Sequence, residues 1–154
     1  MIFDPDYDRI EEKPANLQRG LRWVTAAGNR IPDDAIQGGV DENGQELYIA
    51  RALCNNTLVP GKAGRHIRGG CSIVFSGGVE FIYRYQVLCG DPSKVHWVPL
   101  DRSNSVDQEG SLVYGGYDGT DKLYICRSDD DPKEQLGQCR LTPSKFMLFS
   151  LKRG

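Results

Sequence analysis

The sequence predicts an all-β protein: two tandem, pseudo-symmetric repeats forming one compact, antiparallel, β-sandwich-like domain. Three observations carry that expectation. A tryptophan, a Gly-Gly-x-Asp turn and a Leu-Tyr-Ile-x-Arg strand occur twice in the same order. Trp23, Gly38-Gly39-Val40-Asp41 and Leu47-Tyr48-Ile49-Ala50-Arg51 return, 74 to 77 residues later, as Trp97, Gly115-Gly116-Tyr117-Asp118 and Leu123-Tyr124-Ile125-Cys126-Arg127. Eighteen glycines and eight prolines in 154 residues leave few helix-forming runs and many places for tight turns. No stretch carries the apolar period of an amphipathic helix of normal length. A repeat of this size buries too little surface to stand alone, so the two copies must share a core.

Residues 1–22 form a leader of alternating charge, with Phe3, Tyr7 and Ile10 as its apolar anchors. The first repeat spans residues 23–89. Asp41-Glu42-Asn43-Gly44 marks a turn before a strand at Glu46–Leu53, because Asp, Asn and Gly accommodate tight backbone geometry. A short apolar strand follows at Ser72–Phe75, then a Gly77-Gly78 turn. Phe81–Leu88 reads as one strand whose set Phe81, Tyr83, Tyr85 and Val87 is wholly apolar or aromatic, with Arg84 and Gln86 in the other set. Residues 90–96 form a linker around Gly90-Asp91-Pro92-Ser93. The second repeat spans residues 97–154, with strands at Lys122–Arg127 and Phe146–Leu151. Aligning Phe149-Ser150 with Phe75-Ser76 leaves the second copy without a counterpart of Phe81–Leu88. The open sheet edge that results needs cover, either from the leader around Ile2–Ile10 or from a strand of a second subunit.

Composition narrows the function. A formal net charge of −2 gives no electrostatic reason for nucleic acid or an anionic membrane as partner. No run approaches the roughly 20 apolar residues that span a bilayer. The acidic start, without an apolar signal region, predicts a cytoplasmic protein, with non-classical release as the route of export. Five cysteines (Cys54, Cys71, Cys89, Cys126 and Cys139), an odd number with no close pair, read as reduced thiols. His66 and His96 lack zinc spacing, and Asp41–Glu46 lacks the remaining ligands of a twelve-residue calcium loop, so no metal or cofactor is expected. Pro60-Gly61-Lys62-Ala63 lacks the upstream glycine and the Ser/Thr of a phosphate-binding loop. A Cys71–His66 nucleophile pair is weighed against inert buried cysteine, the commoner state. Gly64-Arg65-His66-Ile67-Arg68 is a small basic loop beside Lys62. No enzymatic constellation emerges.

Five motifs in the first copy occur in a fixed order. They are Ile31–Asp41, Leu47–Ala52, Leu58-Val59-Pro60-Gly61-Lys62, Gly77-Gly78-Val79-Glu80 and Tyr85-Gln86-Val87-Leu88. This set resembles the DM9 repeat family, found in tandem copies and including bivalve lectins that recognise mannose. The resemblance covers residues 23–89 well and 97–151 more loosely. It implies a lectin acting in glycan or microbial-pattern recognition, with sugar contacts from an acidic residue of the Gly-rich turn and a lysine of the Pro-Gly-Lys loop. Those positions match Asp41 and Lys62. The second copy keeps Asp118, but Leu136-Gly137-Gln138 puts Gln138 where the lysine stands. Gln86 also departs from the family's usual Glu.

The chemistry is reasonable for a hexose, whose neighbouring hydroxyls each donate and accept. A carboxylate accepts from two of them and an ammonium donates to their lone pairs. Charge-assisted bonds are each worth about 1.5–3 kcal/mol, so one acid and one lysine support a site on the order of 0.1–1 mM. Useful affinity then requires several sites on one particle, hence a homodimer or higher homo-oligomer. Tyr48, Tyr117 and Trp97 are candidates to cover the sugar's apolar face. The alternative is a protein-interaction or self-assembly module that uses the scaffold without a sugar.

Overall fold

A computed structural model describes residues 20–99, 112–128, 136–139 and 146–151. Twelve antiparallel strands account for most of them. In the first copy these are β1 (Arg22–Ala27), β2 (Gln37–Val40), β3 (Glu46–Cys54), β4 (Thr57–Ala63), β5 (Cys71–Phe75), β6 (Gly78–Ile82) and β7 (Arg84–Cys89). One turn of 3-10 helix at Pro92–Lys94, capped by Asp91, leads into the second copy. There the strands are β8 (Val95–Pro99), β9 (Tyr114–Asp118), β10 (Asp121–Ser128), β11 (Leu136–Cys139) and β12 (Phe146–Leu151). The hydrogen-bonded path runs β1-β7-β3-β4-β9-β10-β12-β8, with β2 on β3, β11 on β10, and the β5–β6 hairpin on β4. The all-β, antiparallel expectation is met.

The duplication extends to the level of register. Trp23 faces Leu88 as Trp97 faces Phe149, and Arg51 faces Gln86 as Arg127 faces Met147. Ile49 faces Lys62 as Ile125 faces Gln138. Even the register irregularity recurs, beside Gly39 in the β2–β3 pair and beside Leu123 in the β9–β10 pair.

Two sequence expectations are corrected here. Phe81–Leu88 is not one strand: Tyr83 interrupts it, and Phe81 and Tyr83 point outward while Tyr85 and Val87 are buried. The apolar character of Phe81 and Tyr83 made them look like core, yet the hairpin turns that face to solvent. Second, Phe149 does not correspond to Phe75. β12 pairs with β8 and β10 as β7 pairs with β1 and β3, so the second copy possesses its closing strand. Among the described residues it has no counterpart of the β5–β6 hairpin. The leader proposed to cover an edge lies outside the described residues.

The two halves face one another across a shared core. Leu21, Trp23, Ile36, Ile49 and Leu88 come from the first copy, and Val95, Val113, Ile125 and Phe149 from the second, with Trp97 packed against them. A separate cluster including Tyr48, Ala50, Val59, Cys71, Ile73, Tyr85 and Val87 belongs to the first copy alone. Because side chains alternate along a strand, Ile49 serves the shared core while Tyr48 and Ala50 serve the private one. Each repeat's Trp and Arg form a stacked pair, with Arg51 lying 4.1 Å from the Trp23 ring centroid and Arg127 lying 4.4 Å from that of Trp97. The paired glycines of the turn motif also acquire a reason. β9 crosses close over β4, with Leu58 opposite Tyr117. A Cβ on Gly116 would come within 1.7 Å of the Leu58 carbonyl oxygen.

Cys54, Cys71, Cys89 and Cys126 are buried and form no disulfide. Among the described residues, no helix is long and apolar enough to cross a membrane.

Candidate functional site

Asp41 closes the link between β2 and β3. Its Oδ1 accepts from the backbone N–H groups of Asn43 (2.8 Å) and Gln45 (2.9 Å), and its backbone N–H donates to the Gln45 carbonyl at 2.9 Å. Gly44 takes the positive φ (79°) that the turn requires. The second carboxylate oxygen is directed elsewhere: Oδ2 lies 2.7 Å from His66 Nε2. Partial burial works to raise the Asp41 carboxyl, but the Gln45 and Asn43 amides and the adjacent His66 outweigh it and hold the group below 3.8.

That depressed carboxyl sets an acid limit. A group whose folded value lies below its unfolded value contributes stability that is complete above about 3.8 and lost as pH falls through the lower folded value. Urea denaturation of wild type and Asp41→Asn from about pH 5 down to about pH 2.5 is expected to show a gap that closes on acidification. A gap independent of pH would remove the charged Asp41 from the account.

His66 is delivered by a clamped loop. After β4 the chain turns through residues 64–70, with Gly64 N–H donating to the Gly70 carbonyl (3.0 Å) and Gly70 N–H to the Ile67 carbonyl (2.9 Å). The Asn29 side-chain amide donates to the carbonyls of Gly64 (3.2 Å) and Ile67 (3.0 Å), tying the loop to the end of β1. Arg65 in the same loop donates to the Tyr48 hydroxyl at 3.0 Å, and its guanidinium stands 5.5 Å from that ring's centroid. The Tyr48 hydroxyl in turn donates to Glu46 in a short bond. Burial, and then the Glu46 carboxylate, push the Tyr48 hydroxyl above its usual value, so it remains a donor at neutral pH.

Gly44, Gln45, Glu46, Arg65 and His66 thus line an open hollow of about 420 Å³ beside the Asp41 turn. It offers a carboxylate acceptor, a guanidinium donor and an imidazole. Such a mixture suits a neutral ligand with many hydroxyls.

Lys62 does not line this hollow. It sits within β4, half-buried, in register with Ile49 on one side and Ser72 on the other. Cross-strand partners project to one face, so Lys62 shares the face of Ile49, whereas Glu46 and Tyr48 leave β3 on the opposite face. Asp41 is joined to His66. In the second copy Asp118 is a strand residue opposite Asp121 in a tight hairpin. It lacks the longer turn that Asp41 organises. Gln138 occupies the register position equivalent to Lys62, as the motif alignment required. Of the aromatic candidates, Tyr48 is buried, and only its hydroxyl reaches toward the hollow, through Glu46 and Arg65. Trp97 meets Phe149 edge to face and carries Arg127 over its ring, and the half-buried Tyr117 lies opposite Leu58.

His66, Arg65 and Glu46 were not singled out as site residues. The signal was the basic loop Gly64–Arg68, whose approach to the Asp41 turn depends on the Asn29 clamp far away in sequence. Cys71 is fully buried, and burial drives its thiol strongly upward, so it is no thiolate partner for His66. Among the described residues, no group of three or more His, Cys, Asp or Glu side chains is placed to hold a metal ion.

The model of the DM9 repeat matches residues 6–81. No curated protein matches the chain. Among solved structures, the chain is similar to the nematode sperm cell motility protein MFP2B, with a TM-score of 0.60 and 15% identity. The match covers 99% of this chain and 53% of that one, so the chain spans about half the length of its structural relative. At that identity the likeness concerns the fold.

Proposed function

We propose, from the premise that this is a DM9-repeat protein, that it is a non-enzymatic carbohydrate-binding protein taking mannose-type glycans at the first copy. The observation that supports this reading most is the polar hollow beside Asp41, where Glu46, Arg65 and His66 converge. Its volume lies within the range of small-molecule sites, about 300–1,000 Å³. Glu46 accepts from one sugar hydroxyl, and Arg65 and His66 serve its neighbours. Asp41 holds His66 in place through its second carboxylate oxygen. The DM9 resemblance names Lys62 as the cation; in this reading Arg65 and His66 take that part.

Variants separate the two assignments. Nuclear magnetic resonance titration with free mannose, together with retention on mannose-agarose, is the measurement. His66→Ala and Glu46→Ala are each expected to weaken binding about tenfold, the equivalent of one charge-assisted bond. Lys62→Ala is expected to have a smaller effect. The opposite order would return the contact to Lys62. A wild-type chain that shows no shifted resonances and no retention would end the lectin reading.

A further inference from the structure

The motif Gly77-Gly78-Val79-Glu80 has no part in the hollow beside Asp41, yet it borders a second one. Cross-strand partners project to one face, so Cys71 with Ile82, Ile73 with Glu80 and Phe75 with Gly78 form the inner face of the β5–β6 hairpin. Cys71, Ile73 and Ile82 fill the first copy's private core. Towards the hairpin tip the row changes character. Glu80 brings a carboxylate where the pattern calls for an apolar residue, and Gly78 brings no side chain at all. A Cβ added to Gly78 would meet only the Phe75 carbonyl oxygen, at 3.9 Å. The space left open is a cavity of about 310 Å³ between this hairpin and the end of β3.

Its lining favours one ligand chemistry. Leu53, Phe75 and Ile82 supply apolar wall, and among the described residues lining the cavity Glu80 alone carries a charge. That charge is felt at the wall: burial first, and then the Glu80 carboxylate, push the Cys54 thiol above its usual value, so Cys54 stays neutral. Two further polar side chains, Asn55 and Ser76, stand at the turns that frame the cavity. The backbone is left-handed at Asn55 (φ 49°), Asn56 (65°) and Ser76 (51°), the non-glycine residues with positive φ among the described residues. Asparagine is a common choice for such a turn; serine is not. Glycine would hold the Ser76 position without strain, so the hydroxyl is kept against the backbone preference.

We infer that this cavity binds a small organic amine, a protonated ammonium carried on a compact apolar body. An ammonium has three donors and no acceptor; the Glu80 carboxylate, the Asn55 amide oxygen and the Ser76 hydroxyl are three acceptors. An anionic ligand would meet Glu80 as a like charge, and a neutral alcohol would forgo the charge-assisted bond. Glu80 has no companion acid among the lining residues, so a divalent cation is not the match. The volume lies at the small end of the range for ligand sites, about 300–1,000 Å³. One charge-assisted bond and a few buried carbons support a Kd on the order of 0.1–1 mM. The cavity is separate from the hollow beside Asp41, because Glu46 and Cys54 are the two ends of β3, roughly 25 Å apart at the rise of a strand. The inference therefore stands apart from the sugar reading.

Phenethylamine is the probe, titrated to about 10 mM into the isotope-labelled full chain and followed through its amide resonances. The wild type is expected to show saturable shifts at Asn55, Ser76 and Gly78, with phenethyl alcohol and phenylpropionate about tenfold weaker. Glu80→Gln is expected to weaken the amine about tenfold and to erase its advantage over the alcohol. Gly78→Leu fills the cavity from an open and unstrained backbone position, and is expected to abolish the shifts while the thermal midpoint stays near that of the wild type. A wild type without saturable shifts, an amine and alcohol that bind alike, or shifts that persist in folded Gly78→Leu chain would overturn the inference. Acetyl-lysine amide distinguishes a free amine from a lysine side chain of a partner protein, and binding as tight as that of phenethylamine overturns the small-ligand assignment. Mannose at saturation is not expected to displace the amine; displacement would put both ligands in one site and overturn the separate cavity.

Discussion

Gly116→Ala is expected to cost more than about 4 kcal/mol, most of the stability of a typical domain, and to lower the thermal midpoint by at least about 10 °C. The added methyl group would stand 1.7 Å from the Leu58 carbonyl oxygen and 2.6 Å from its carbon. Both are backbone atoms of β4, so no side-chain rotation relieves the overlap. The neighbouring Gly115 is under similar pressure, its Cβ falling 2.3 Å from Pro60 Cγ. Relief requires β9 to lift off β4, and that contact carries the sheet from the first copy into the second. Gly119→Ala is the control. Nothing lies within 4 Å of its Cβ, and only its positive φ of 61° opposes the substitution, for roughly 1 kcal/mol. Equal losses from the two variants, measured by urea or thermal unfolding, would show that β9 is not seated on β4.

Arg51→Ala is the second large effect, expected at about 3–4 kcal/mol. Arg51 is almost wholly buried, its Nε–H donating to Gln86 Oε1 at 2.8 Å while the guanidinium covers the Trp23 ring. A hydrogen bond from a charged group is worth about 1.5–3 kcal/mol, and a desolvated cation–π contact about 2 kcal/mol. Removal also leaves the Gln86 carbonyl oxygen buried without its donor. Arg51→Lys is expected to recover little, since an ammonium cannot lie flat on the indole and reach Gln86 together. Arg127 offers the internal comparison. It keeps the stack on Trp97 and donates to the Gly38 carbonyl at 3.1 Å, but Met147 stands where Gln86 does. Chemical denaturation of Arg51→Ala, Arg51→Lys and Gln86→Ala apportions the network. A loss below about 1 kcal/mol for Arg51→Ala would mean that its buried contacts contribute no net stability.

The duplication was legible in the sequence because it rests on residues with strict geometric duties. Trp23 and Trp97, Arg51 and Arg127, and the paired glycines each have a counterpart at the same register, and their spacing alone located both copies. Strand limits such as Phe146–Leu151 were equally visible from apolar and aromatic runs. The misassigned Phe149 shows where this reasoning stops. A short apolar strand has no signature of its neighbour, so only hydrogen-bonded pairing distinguishes a counterpart of β7 from one of β5. Phe81 and Tyr83 misled for a related reason, since alternation gives a face its character without saying what lies against it. At the site, Asp41 stood out through its turn, but its pairing with His66 arises from a loop held by Asn29. Such a contact joins three distant segments and leaves no local pattern.

The crossing of β9 over β4 has a further bearing on how this chain acquires its structure. Leu58 meets Tyr117, and Trp23 meets Leu88, so the decisive contacts close long loops rather than short ones. Closing them loses chain entropy before much burial compensates, and topologies dominated by distant pairings reach the native state in milliseconds to seconds rather than microseconds. Neither half can then complete its own fold ahead of the other, and a nascent chain released before Tyr117 has emerged would present β4 with an unmet edge.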